Sequence, residues 1–273
     1  MTSGRPLSFA LAFVWTFACA TLIIAGLQLL TALSPSAALD IVQLGLIQVL
    51  VFVSVIYGVL RVHAPDRTLT DGLGMRPTHP ALLIFGLALG LALQIPAGSL
   101  ALLIEQVAPT PPEVLAERAA LLTTDRPAEL AVMILVSACA LPLVEELFFR
   151  GALFGGLRRE HSALGAALVT ALCFALSRPD IRSWPALLLL GGALSHLRMT
   201  SGSVVPCVAL HVGFGAAELL ALLLGISGPS SPLSVPWWAI VLGWLAAGGL
   251  GAMIQTIALQ SDQAAAARQE DAA

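Results

Sequence analysis

Lysine is missing from this chain: all thirteen of its basic residues are arginine. Charge of either sign is scarce. Only 11% of the 273 residues are charged, where a soluble domain carries about 25%. The net charge of -3 comes with no basic block, so nothing offers the electrostatic footprint of a nucleic-acid binder. Cysteine is sparse too. Cys19, Cys139, Cys173 and Cys207 each stand alone in an apolar run, with no CxxC and no Cys/His metal spacing; they read as free thiols packed in helices. The HExxH, GxSxG and P-loop patterns are all absent, which removes the common zinc-protease, serine-hydrolase and nucleotide-binding signatures.

What the chain has in quantity is long apolar runs. Hydrophobic residues make up 58% of it and its mean hydropathy is +0.93. A membrane span needs about 20 such residues, and eight runs are candidates: 7–33, 41–62, 81–104, 128–157, 162–177, 184–199, 203–226 and 235–259. The expected fold class is therefore all-α, a polytopic transmembrane bundle of about eight helices. The first run is too long for a signal-peptide core and reads as a retained anchor. The fourth would make a rod of roughly 45 Å, longer than a bilayer core, so it must tilt, bend near Pro142, or project. Residues 261–273 read as a disordered tail. The chain divides into 1–127, with three spans and their loops; 128–226, a core of four spans; and 227–273, the last span and the tail. Arginine counts over alternate loops favour both termini in the cytoplasm. Gly86/Gly90 and Gly151/Gly155 have the spacing for close helix contacts.

The fourth run contains Leu143-Val-Glu-Glu-Leu-Phe-Phe-Arg-Gly151. Ionisable groups at membrane depth are costly, and by default they mark a site facing the protein interior. Glu146 and Arg150 are four apart and share a helix face, so they can pair. Glu145 points about 100° away, which leaves one carboxylate held and one free. If Arg158–His161 is a hairpin turn, Glu145 lies about 15 residues before it and position 178 about 18 after it, at matching depths of roughly 20–27 Å. His211 reaches the same region from the far side of the Thr200–Gly202 turn, and Glu218 lies two helical turns beyond it. A carboxylate and an imidazole in an apolar cavity can hold and polarise a water, with or without a metal.

These residues resemble a family. Glu145-Glu-Leu-Phe-Phe-Arg-Gly-Ala-Leu-Phe-Gly-Gly-Leu is similar to the EExxxR motif of the CAAX prenyl protease and bacteriocin-processing (CPBP) family, intramembrane endopeptidases built on an eight-helix bundle. Phe174 matches the Phe of that family's FxxxH motif, and His211 matches the His of its HxxxN/D motif. The similarity also takes in Ser195-His-Leu-Arg-Met-Thr-Ser-Gly-Ser-Val-Val-Pro206 and covers about residues 125–225. It implies that Glu145 is the base that activates water, that Glu146 and Arg150 support it, and that His211 is a ligand or oxyanion donor. It further implies a bacterial inner membrane, a peptide or membrane-protein substrate, and the lipid bilayer as partner. Two positions depart from the pattern: the His of FxxxH is Arg178, and the Asn or Asp of the third motif is Gly215. Arginine neither accepts a hydrogen bond nor ligates a metal, so a metal cofactor suits this chain poorly and the cofactor stays open.

Three readings of function follow. One is a CPBP-type endopeptidase, weakened by Arg178 and Gly215, with Glu145, Glu146 and His211 as catalytic candidates and Arg150, Phe174, Arg178 and Gly215 in support. The second is a non-catalytic relative that binds a peptide or acts in bacteriocin self-immunity. The third is a small-solute transporter with Glu145, Glu146 and Glu218 as a relay. An Arg178 in reach of Glu145 would form a charge-assisted pair and leave a poor base.

Overall fold

The computed structural model describes residues 4–33, 41–116, 127–223 and 236–270. Among these the chain is all helical. Helices α1 (Phe9–Leu33) and α2 (Ile41–His63) form an antiparallel pair, and a short helix, α3 (Leu69–Leu73), follows. Helix α4 (Pro80–Val107) continues through Pro96. Residues 112–116 are helical. Helix α5 (Ala128–Leu157) is the central rod. It is followed by α6 (Ala163–Leu176), α7 (Trp184–Ser201), α8 (Val205–Leu223) and α9 (Trp237–Glu270).

Helices α1, α2, α4, α5 and α9 (the last over Trp237–Ser261) are long and apolar enough to cross a membrane, and α6 and α8 are shorter apolar helices. Large apolar side chains such as Val14, Leu50, Ile84, Leu168 and Leu245 are exposed, as expected where the solvent is lipid rather than water. This is a multi-pass helical bundle in a bilayer. One expectation fails at its end: α9 continues through Glu270, into the segment read as a disordered tail. Its Ala264–Ala267 run has the highest intrinsic helix propensity, so the helix extends past the apolar residues.

Helix α5 is not a uniform α-helix. It alternates α-helical stretches (Pro127–Leu135, Leu141–Glu146, Phe154–Leu157) with π-helical ones (Val136–Ala140, Leu147–Leu153). Pro142 has no N–H to give to the preceding turn, and the first widened turn falls immediately before it. Such widened turns concentrate at functional sites.

The glycines show which helices touch. Gly90 lies against the carbonyl of Leu210, and a Cβ added at Gly86 would stand 2.9 Å from the carbonyl oxygen of Pro206. Together with Gly213 against Leu87 they seat α8 closely on α4. Gly151 and Gly155 also mark a close approach, but their partner is α3, at Leu73 and Gly72.

One side of the bundle is tied by polar contacts. His63 accepts from Trp15 Nε1 at 2.9 Å, and its Nδ1 donates to the carbonyl of Arg5 at 2.8 Å. Arg159 Nη1 donates to the carbonyl of His63 at 2.6 Å. The N-terminal segment, the end of α2 and the α5–α6 turn therefore share one face.

Gly90→Ala should force α4 and α8 apart and cost about 1–3 kcal/mol, the usual penalty of overpacking, read as a lower unfolding temperature in detergent. Gly98→Ala on the same helix, where a Cβ meets nothing within 4 Å, should leave that temperature unchanged or raise it.

Candidate active site

Two ionisable residues of the α5 motif point into the protein and pair there. Glu146 and Arg150 are each fully buried, and Arg150 Nη1 donates to Glu146 Oε1 at 3.0 Å. Helical spacing accounts for the pair; burial makes it consequential, because an unpaired charge here would be far more costly. Arg150 is held on its other edges as well. Its Nη2 donates to the carbonyl of Gly191 on α7 at 3.0 Å, and its guanidinium lies 4.8 Å from the centroid of the Phe174 ring on α6.

His211 enters from α8. Its Nδ1 is 2.9 Å from Glu146 Oε1, and its Nε2 is 3.8 Å from Glu145 Oε2. With Glu146 accepting from Arg150, the hydrogen on His211 belongs on Nδ1, and Nε2 is the open nitrogen. The gap from Nε2 to Glu145 is too long for a direct hydrogen bond. Phe174 packs edge-on against the imidazole, with centroids 5.6 Å apart. One aromatic side chain thus supports both the guanidinium and the histidine.

Glu145 is nearly buried, and Arg178 reaches it: Arg178 Nη2 donates to Glu145 Oε1 at 2.5 Å. Position 178 is fixed by the way α6 ends. Ser177 Oγ donates to the carbonyl of Phe174, the Arg178 amide donates to Ala175, and Trp184 Nε1 caps the Arg178 carbonyl at 3.1 Å. With 14 residues, α6 rises only about 21 Å, short of the about 30 Å hydrocarbon core. Its end therefore comes level with Glu145 on the longer α5. The Arg178 side chain remains 38% exposed while Glu145 is 3% exposed, so this pair opens at one end to the surroundings.

The structure therefore brings Glu145, Glu146, Arg150, Phe174, Arg178 and His211 together. Gly215 stands apart from the carboxylates. A Cβ there would meet Ala138 Cα at 3.8 Å and the Ser137 carbonyl at 3.9 Å, ordinary contact, so a larger residue has room to begin there. Sequence reasoning missed the far wall. Thr16, Cys19 and Gln48 join Glu145, Phe149, Ser177 and Arg178 around a cavity of about 20 Å³, the size of a single water. Gln48 had a signal: a polar residue inside an apolar span.

The donor set does not suit a divalent metal. One oxygen of each carboxylate is already taken by a guanidinium, and the two positive charges oppose a third cation between them. Among the described residues no three His, Cys, Asp or Glu side chains converge in metal-binding fashion.

Residues 127–217 match the family model described as type II CAAX prenyl endopeptidase, Rce1-like. The matched region spans a third of the sequence, from the start of α5 into α8, and contains every residue of the charged constellation, which supports membership of the CPBP family. No curated protein and no solved structure matches the chain. Outside the matched region, α1 and α2 supply the outer wall of the small cavity beside Glu145.

Two atoms of the buried pair, Glu146 Oε2 and Arg150 Nε, have no hydrogen-bond partner among the described residues. Arg150→Ala would leave the buried Glu146 carboxylate with the His211 imidazole but without its cation, and a broken buried pair costs about 3–5 kcal/mol. Arg178→Ala should cost much less, because its side chain is 38% exposed and ion pairs open to the surroundings contribute less. Chemical unfolding of both variants in the same detergent should reproduce that order.

Proposed function

We propose that this protein is a CAAX-type intramembrane endopeptidase whose hydrolytic power is held low by Arg178. The reading follows the chemistry of the constellation. Glu145 lines the small cavity, its Oε2 makes no hydrogen bond among the described residues, and that cavity takes one water. In hydrolysis Glu145 removes a proton from that water, and the oxygen attacks the peptide carbonyl carbon. The resulting oxyanion is stabilised by donors, and the proton passes to the departing amine as the C–N bond breaks. His211 is kept in place by Glu146, which Arg150 holds in turn.

The observation that carries the proposal is the 2.5 Å bond from Arg178 to Glu145. A carboxylate committed to a guanidinium is stabilised as the anion, and a stabilised anion takes a proton from water reluctantly. The substrate would be a peptide segment at or near the membrane, since the site lies within the apolar bundle. We place both termini in the cytoplasm of a bacterial inner membrane; the arginine-rich face that joins Arg5, Arg67, Arg76, Arg158, Arg159 and Arg198 supports that orientation.

A reconstituted assay on a membrane-peptide library tests the reading. Native protein should cleave slowly, Glu145→Gln not at all, and Arg178→His faster by about 10²-fold, the lower range of acid–base assistance. Arg178→His with Gly215→Asn should be at least as fast. Robust native cleavage that Arg178→Ala abolishes would instead make Arg178 an oxyanion donor. Silence in every variant would favour a peptide-binding role. Reporter fusions after Val62 and Leu259 test the orientation, and an outward-facing C-terminus would overturn it.

A further inference from the structure

A second cavity, of about 400 Å³, lies at the end of the bundle where α5 terminates. Five guanidiniums line it, those of Arg67, Arg76, Arg158, Arg159 and Arg198, against the single carboxylate of Asp71. They come from three separate parts of the chain: the α2–α4 connection, the α5–α6 turn and the end of α7. Asp71 is engaged locally, accepting from Thr68 Oγ1 at 2.7 Å. Among the described residues none of the five arginines makes an ion pair.

Arginine stays charged in proteins and presents five donors. The protein uses few of them here. Arg158 Nη1 donates to the carbonyl of His161 at 2.6 Å, Arg159 Nη1 to that of His63 at 2.6 Å, and Arg198 Nε to that of Arg150 at 2.9 Å. The side chains of Arg67 and Arg76 make no hydrogen bond among the described residues. Burial, and then the charge of Arg67, push Arg159 below its ordinary value. The membrane-orientation rule explains why arginines collect on one side; it does not explain why five should converge on one concave space and repel one another there.

We propose that this cavity binds a phosphate-bearing anion, either the headgroup of an anionic phospholipid or a free organic phosphate. Arginine forks match phosphate oxygens in pairs, and basic pockets between membrane helices take acidic headgroups. The volume lies in the range of small-molecule sites, about 300–1,000 Å³, and exceeds what a bare ion needs. A path for acyl chains adjoins it. Ala163 lines the cavity, and from there Leu164, Leu168 and Leu172 form an exposed stripe along α6. The site is independent of the hydrolytic reading, although Arg198 links the two ends by holding the carbonyl of Arg150.

The test uses full-length protein in phosphatidylcholine nanodiscs, titrated with dihexanoyl phosphatidic acid, with inorganic phosphate, and with dihexanoyl phosphatidylcholine as control. Thermal shift and native mass spectrometry read binding. Saturable binding of phosphatidic acid, displaced by phosphate, is expected. Lipid binding much tighter than phosphate identifies a headgroup site; equal affinities identify a free-phosphate site. Arg67→Gln with Arg76→Gln should weaken binding by at least about tenfold, and Arg158→Gln should weaken it in the same direction. Arg182→Gln, on the other side of the bundle and paired with Asp180, should bind as the native protein does. Unshifted unfolding temperatures without ligand confirm that the variants fold. Equal binding of the phosphatidylcholine control, or native affinity in the Arg67/Arg76 double variant, overturns the site.

Discussion

The bond between Arg150 and Glu146 is the constraint on which the rest of the core is arranged. Neither side chain is exposed at all, and neither charge could be placed there alone. Each surrounding helix supplies something to it. Helix α6 brings the ring of Phe174, α7 brings the Gly191 carbonyl, and α8 brings His211 to the far side of Glu146. The close seating of α8 on α4 through Gly86 and Gly90 fixes how deep His211 can reach. The pair therefore organises the packing as much as the packing shelters the pair.

This arrangement gives two adjacent carboxylates different tasks. Glu146 spends Oε1 on Arg150 and on His211, so it acts as an orienting group with no accessible lone pair toward the small cavity. Glu145 points another way and meets Arg178 at the edge of that cavity. The 100° turn between consecutive helical residues is enough to separate them. Holding His211 through its Nδ1 also leaves Nε2 facing Glu145, across a gap too wide for a direct bond. A bound carbonyl or water is the kind of group that such a gap admits.

Much of this was legible in the sequence because helices are regular. The apolar runs closely anticipated the helices, and the i, i+4 spacing of Glu146 and Arg150 announced their bond. Counting residues out from the Arg158–His161 turn put Glu145 and position 178 level, and Arg178 does reach Glu145. The parts that stayed hidden depend on what residue spacing does not encode. The two widened turns of α5 alter the spacing itself. Gly151 and Gly155 displayed a helix-packing pattern, yet the surface they meet is the short helix Leu69–Leu73, which no periodicity pointed to. The arginine-lined cavity draws on three connections far apart in sequence, and only their assembly makes one space of them.

The charged constellation and the arginine-lined cavity are physically joined at Arg150, and the widened turn there is part of the reason. Arg150 sits within the π-helical stretch Leu147–Leu153. Its side chain runs to Glu146 while its carbonyl accepts from Arg198, whose own guanidinium lies over Phe154 and lines the arginine-rich cavity. A regular α-helix keeps its carbonyls turned along the axis into the next turn; a π-helical turn shifts the ladder and is the kind of irregularity that lets a side chain engage the backbone from outside. One residue thus fixes the buried carboxylate on one side and anchors the neck of the charged cavity on the other. A change in how Arg198 is held would be felt first at the backbone of Arg150, one bond network away from Glu146 and His211.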